Sequence, residues 1–155
     1  NFEAIPEEDR FFDLVWSQDA ILHSGDRLQV FKEVRRVLKT GGEFIFTDPM
    51  QSDDCLDDVL KPVLDRIHLD SLGSVAFYRQ AAKINRFEEI QFIDLSEQLI
   101  NHYSHILQAI HDRHEEVILT CGQEYIDRMK VGLRHWIEKG EQGYLTWGIL
   151  HFRKK

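Results

Sequence analysis

The sequence has little cysteine, a shortage of positive charge and no long hydrophobic run. Its two cysteines, Cys55 and Cys121, show no framework spacing. A disulfide-stapled secreted domain is therefore not expected, and a reducing cytoplasmic setting is. No apolar stretch approaches the length of a membrane-spanning helix, and no signal peptide pattern is visible, so no membrane partner is expected. Lys and Arg number 19 against 27 Asp and Glu, a formal net charge of -8. A nucleic-acid partner needs a basic face, which this balance argues against. The only basic cluster is the terminal Arg153-Lys154-Lys155, expected to be a solvated tail. There is no nucleophile elbow, Walker loop or zinc signature.

What is present is enough for one domain with a real core: 155 residues, 43% hydrophobic and 30% charged. The chain starts at Asn1 and runs almost at once into strand-like sequence, so a piece of a longer protein is expected. After the polar turn Pro6-Glu7-Glu8-Asp9-Arg10, Phe11 to Trp16 reads as a strand. It is apolar on both faces except at Asp13, which suits a central parallel strand. Ser24 is a plausible helix N-cap, with Asp26 in the first turn, where the dipole favours an acid. Leu28, Phe31, Val34, Val37 and Leu38 follow at helical spacing, and Gly41-Gly42 is the expected stop. Glu43 to Thr47 is a second strand, ended by Asp48-Pro49.

Strand, helix and strand with tight connections make a βαβ unit with a right-handed crossover. The carboxyl ends of both strands then share one edge, where open α/β sheets bind ligands. Asp19 and His23 follow the first strand and Asp48 the second, so position alone makes all three site candidates. Gln51 to Leu72 reads as acidic and helical with Pro62 inside it, broken at Gly73-Ser74. Phe77 to Ile84 is a short helix closing near Asn85, a residue that tolerates the left-handed conformation. Glu89 to Leu95 is a third strand. Ser96 opens a helical region to about Arg113, a second helix runs from about Glu115 to Lys139, and Tyr144 to Phe152 is the last strand. Gly148 within it is a bend or bulge candidate.

Each chemical reading has a plainer rival. His102 and His105 share one helix face, while His111 and His114 fall roughly opposite, so one continuous helix cannot focus all four on an ion; a metal would need a turn between the pairs. No metal is expected. Cys121 beside Gly122 has no assignable base and reads as a structural thiol. Asp19 and His23 fit a turn acid and a packing histidine. They also fit an acid holding a histidine tautomer so that the ring serves as general base. Spacing does not choose between these.

Here the residues become recognisable. FDLVWSQDAILHSGDRLQVFKEVRRVLKTGGEFIFTDP, Phe12 to Pro49, resembles strand four, its helix and strand five of class I S-adenosylmethionine-dependent methyltransferases. The turn VLKTGGEFIFTDP matches the family pattern with Thr40 in the proline position, and the leader NFEAIPEEDRFFD resembles the adenine-contacting segment. SQDAILHS, DRIHLDSLGS, FYRQAAK and GLRHWIEKGEQGYLTWGILHFRK narrow the likeness to sarcosine/dimethylglycine N-methyltransferases, which make glycine betaine. The resemblance implies an α/β fold: the C-terminal part of a Rossmann-like class I methyltransferase domain over residues 1–155, with a helical insertion at about 96–143. The family's glycine-rich loop and ribose-binding acid would lie upstream, and no GxGxG occurs here. Asn85-Arg86-Phe87 departs from relatives that carry Gly before the aromatic.

The resemblance implies S-adenosylmethionine as cofactor, with Asn1 and Phe2 near its adenine and Gln18 also lining the transfer cleft. Asp19 and His23 match catalytic residues of the related phosphoethanolamine methyltransferases, whose tyrosine partner would lie in the upstream half. The implied substrate is a small amine, sarcosine or dimethylglycine. Asp48 is a further substrate-binding candidate. Arg66 or Arg79 could hold the substrate carboxylate, though each reads equally well as a surface arginine. Aromatic faces suited to a methylated ammonium are Phe77, Tyr78, Trp136 and Trp147, with core packing the rival reading for each. The helical region Ser96 to Lys139 reads as a substrate lid or a homo-oligomer element. Two alternatives stay open: a non-catalytic α/β binding or assembly module, and a methyltransferase for another small amine or a phosphobase.

Overall fold

The computed structural model describes all residues from Asn1 to Lys155. Four strands form one sheet: β1 (Phe12–Gln18), β2 (Leu38–Gln51), β3 (Phe87–Asp94) and β4 (Leu145–Lys154), in the order β1-β2-β4-β3. β1 and β2 are parallel, while β4 runs antiparallel to both of its neighbours, β2 and β3. The carboxyl ends of β1, β2 and β3 therefore share one edge with the start of β4. The helices are α1 (Arg27–Val37), α2 (Lys61–Ile67), α3 (Val75–Ile84), α4 (Ser96–Asp112), α5 (His114–Cys121) and α6 (Gln123–Glu141), and a 3-10 turn covers Ile21–His23.

The first core lies where α1 and α3 cover one face of the sheet. Val30, Phe31 and Val34 face Phe44, Phe46 and Phe152 from the strands and Tyr78, Ala81 and Ala82 from α3. Phe31 is fully buried and meets Phe44 edge-on with ring centroids 5.4 Å apart. Burying one such ring stabilises the fold by about 1.5–3 kcal/mol. A second cluster, Leu22, Val63, Leu99, Trp136 and Leu145 among it, sits under the edge where β1 and β2 end and joins α2, α4 and α6 to the sheet. Between β3 and β4, α4 and α6 pack on each other through Ile110, Ile126 and Leu133.

Several boundaries differ from the sequence reading. β1 is an edge strand here, with Leu14 50% and Trp16 56% exposed, so the apolar pattern expected of a central strand has nothing covering it in this chain. Asp26, not Ser24, caps α1, its side chain accepting from Gln29 N at 2.9 Å. Ser24 Oγ instead donates to Glu3 at 2.6 Å, tying the leader to the 3-10 turn. α1 ends at Val37, and Gly41 (φ 78°) lies within β2, which continues through Asp48-Pro49 to Gln51. Pro49 is tolerated because its partner Trp147 turns its own N and O away, to Ser96 Oγ and Leu95 N, so no ladder bond asks for the missing N–H. Only Lys61–Ile67 of the acidic segment is helical, with Pro62 in its first turn, where no backbone donor is lost.

At the end of α3, Asn85 keeps φ -88° and Arg86 takes the left-handed position at φ 53°. A glycine would adopt that conformation without strain. Ser96 is the first residue of α4, and Asp94 accepts from its N and Oγ at 2.9 and 2.6 Å. Gly122 divides the second expected helix into α5 and α6. Gly148 is neither bend nor bulge: β4 stays in register there, and the irregularity falls at Glu89/Gln91 of β3. The glycine is needed because a Cβ would stand 2.3 Å from Ile93 O of the neighbouring strand.

Candidate active site

A cleft of about 490 Å³ opens at the shared strand edge, under the helices between β3 and β4. β1 supplies Gln18 and the turn after it Asp19 and His23. β4 supplies Trp147, α6 Trp136, and α4 Tyr103 and His102. Topology thus gathers residues more than a hundred positions apart, because β4 begins at the edge where β1 ends.

Asp19 is held tightly for an exposed side chain. It takes φ 47°, a left-handed conformation that Asp adopts more readily than most residues. Its N–H donates to Thr47 O at 2.9 Å. Its Oδ1 accepts from Thr47 Oγ1 at 2.8 Å and from Trp147 Nε1 at 2.9 Å. Hydrogen bonds to an ionised group contribute about 1.5–3 kcal/mol when sheltered and less when solvated. Of the two readings left open for Asp19, the pairing with the His23 ring is not made; the acid bonds to Trp147 instead. Trp147 is fixed a second time, its backbone N donating to Ser96 Oγ at 3.1 Å.

His23 ends the 3-10 turn with its ring exposed to the cleft. Facing it, Trp136 is 5% exposed and packs against Tyr103 with centroids 4.9 Å apart. The Tyr103 hydroxyl is pushed above its ordinary pKa, by burial first and by the charge of Asp19 second, so it stays a neutral donor. Tyr103 and Gln98 were not singled out in the sequence, and His102 was weighed there only as a metal ligand; helix α4 read as lid, and only the spacing of its apolar face could have suggested which residues turn inward. His102 reaches the cleft, while His111 lies in the last turn of α4, away from the cleft and near Lys130 and Arg134.

Other candidates lie elsewhere. Asp48 is fully buried behind the cleft, not on its wall. Its Oδ1 accepts from Leu22 N at 3.1 Å and its Oδ2 from the Tyr78 hydroxyl. Burial pushes its pKa up to about 7, against the opposing effects of the Tyr78 and Leu22 bonds and of Arg27. Tyr78 is equally buried, raised well above the usual tyrosine value by burial and then by Asp48. Its ring belongs to the first core, so it cannot face a substrate in the cleft. Phe77 also packs against that core. Arg79 forms a two-point pair with Glu89, both bonds 2.8 Å, and stands over Phe92. Arg66 lies against Gly132 of α6 and reaches Arg128 O at 3.4 Å. Neither arginine lines the cleft; of α2, it is Ile67 beside Arg66 that reaches it. Asn1 is exposed and Phe2 packs against the first core; the leader is anchored beside the His23 turn through Glu3 and Ser24.

In fold and sequence together this chain is similar to part of a class I methyltransferase domain. A family model described as "Methyltransferase domain" matches residues 1–46. The particular likeness is to the sarcosine/dimethylglycine N-methyltransferases. The chain is 55% identical to the Sarcosine/dimethylglycine N-methyltransferase of Aphanothece halophytica, over 99% of this chain and 56% of that protein. It is 50% identical to the Glycine/sarcosine/dimethylglycine N-methyltransferase of Actinopolyspora halophila, over 99% of this chain and 27% of that protein. A crystal structure of a Galdieria sulphuraria protein assigned as a sarcosine dimethylglycine methyltransferase superposes with TM-score 0.94 at 42% identity, covering 100% of this chain and 57% of the other. The chain thus spans little more than half the length of the Aphanothece halophytica and Galdieria sulphuraria proteins. The fold is shared more widely: a Haemonchus contortus phosphoethanolamine N-methyltransferase, solved with phosphomonomethylethanolamine and S-adenosylhomocysteine, superposes with TM-score 0.89 at 19% identity, covering 99% of this chain and 36% of the other. No helix is long and apolar enough to cross a membrane.

Proposed function

We propose that this chain forms the amine-binding part of an S-adenosylmethionine-dependent N-methyltransferase that converts sarcosine or dimethylglycine toward glycine betaine. The observation that carries the reading is the cleft itself: an acid, Asp19, fastened to one aromatic wall, Trp147, opposite a second, Trp136 with Tyr103. Aromatic faces attract alkylammonium groups by about 0.5–2 kcal/mol each, more when water is excluded. The names of the relatives support the same substrate class.

A methyl acceptor must offer a nitrogen lone pair, and alkyl amines are mostly protonated near neutral pH. His23, on the rim with an unengaged ring, accepts that proton, a contribution of about 10²–10⁴-fold. As the new C–N bond forms, positive charge grows on nitrogen. Asp19 and the aromatic faces stabilise that charge from fixed positions, so they favour the transition state over the neutral amine. Bound S-adenosylmethionine supplies an electrophilic methyl group on a sulfonium. Gln18 at the mouth of the cleft and Asn1 and Phe2 in the leader fit a place beside it, since the Glu3–Ser24 bond keeps leader and cleft together.

The test is calorimetric titration of S-adenosylmethionine into the full-length protein, followed by methyl transfer to sarcosine, dimethylglycine and phosphoethanolamine. Binding with turnover on the two glycine derivatives supports the reading. Turnover on the phosphobase alone would move the substrate class, and no cofactor binding would leave the assembly-module alternative.

A further inference from the structure

We infer that Asp48 is a positioning residue for this cleft: it holds the Leu22 peptide from behind and so fixes the turn that carries His23. This rests on the reading of His23 as proton acceptor. The His23 ring has no hydrogen-bond partner of its own, so its place is set by the backbone under it. That backbone is gripped at both ends of one residue. Leu22 N donates to Asp48 Oδ1 at 3.1 Å, and Leu22 O accepts from Arg27 at 2.9 Å. Leu22 O belongs to the peptide unit that His23 N completes. The turn has no side-chain cap of its own.

The holder is rigid. Asp48 lies within β2, paired with Gly148 of β4, and is fully buried. Its second oxygen accepts from Tyr78, whose ring meets Phe46 at 5.1 Å and Phe31 at 5.9 Å in the main core. Arg27 is tied in turn to Ser71 O at 2.6 Å. The neighbouring Thr47 holds Asp19, its hydroxyl donating to Asp19 Oδ1 and its carbonyl accepting from Asp19 N. Adjacent residues of one strand thus hold the two ends of the segment from Asp19 to His23. A buried carboxylate is costly to desolvate, so its use here, where a smaller polar group could satisfy one N–H, fits a need for two-sided fixation.

The experiment uses the full-length protein with Asp48→Ala, Asp48→Asn and Arg27→Met, reading kcat and KM for dimethylglycine and amide exchange at Leu22 and His23. In Asp48→Ala these two amides should exchange about 10–100-fold faster while those of β2 and β4 stay protected. Turnover should fall about 10–100-fold with KM little changed, the scale of a misplaced catalytic group. Asp48→Asn keeps a carbonyl acceptor and should restore both to within about threefold. Unchanged exchange, or faster exchange with full turnover, overturns the proposal. If Asp48→Ala does not fold, Arg27→Met removes the other grip and carries the same two expectations; unchanged exchange and turnover there overturn it. If the wild type methylates no amine, the functional reading fails and exchange alone decides whether Asp48 fixes the turn.

Discussion

Trp147 Nε1 donates to Asp19 Oδ1 at 2.9 Å, joining the end of the first strand to the start of the last. This bond closes one wall of the cleft and aims an aromatic face and a carboxylate at the same space. Trp147→Phe keeps the face and removes the donor. With full-length protein, KM for dimethylglycine should rise about three- to tenfold, the effect of one charge-assisted bond at an exposed site. Steady-state kinetics check this; an unchanged KM would detach the bond from substrate binding.

His23→Ala should lower kcat about 10²–10⁴-fold with a small change in KM, since the ring is assigned to proton transfer and not to binding. Stability should hardly move, because the ring is exposed and unbonded. Turnover near that of wild type, in protein whose circular dichroism and melting are normal, would remove the base assignment.

Asp48 has a folded-state pKa of about 7 against an ordinary 3.8, raised by burial. Tyr78, Arg27 and the more distant Asp19 are the groups that face it. Between these two values the folded chain keeps a proton that the unfolded chain has lost. Stability therefore falls as pH rises through the window and levels off above it. Asp48→Asn lacks this loss. Urea unfolding at about pH 4.5 and about pH 8 should show its stability gaining on wild type at the higher pH. A gap that is the same at both would show that Asp48 stays ionised when folded.

Gly148→Ala should destabilise by about 1–3 kcal/mol, because the added Cβ meets backbone that cannot turn aside. The nearest atom is Ile93 O at 2.3 Å, followed by the Phe92 ring at 2.8 Å. A lowered midpoint in urea with unchanged slope is the expected result.

Much of the fold was legible from pattern. Phe31 and Val34 recur at helical spacing and do face the sheet, and the βαβ unit follows from them. Helix and strand ends were less legible. Asp26 and Ser24 are both good caps by type, and the choice fell to Asp26 because Glu3 engages Ser24. The left-handed residue after α3 is Arg86, a type that composition would not select. Of the site, Gln18, Asp19, His23, Trp136 and Trp147 meet in one cleft. Tyr103 was hidden because a helix of mixed polarity does not say which turn faces a ligand. Arg66 and Arg79 were plausible by charge, yet Arg79 is taken up by Glu89 on the neighbouring strand and Arg66 packs against Gly132 far along the chain.

By itself the sequence determined the kind of fold, the sheet edge on which the polar candidates gather and the motifs it has in common with its relatives, because alternation, helical periodicity and motif spacing are local properties of the chain. Only the tertiary structure decided what each polar group touches. It gave Asp19, left open between a turn acid and a partner of His23, Trp147 as its partner, and it moved Asp48 from the cleft wall to a buried post behind Leu22. The physical reason is that hydrogen bonds and desolvation depend on distances between segments, and those are fixed only when the sheet brings its first and last strands to the same edge.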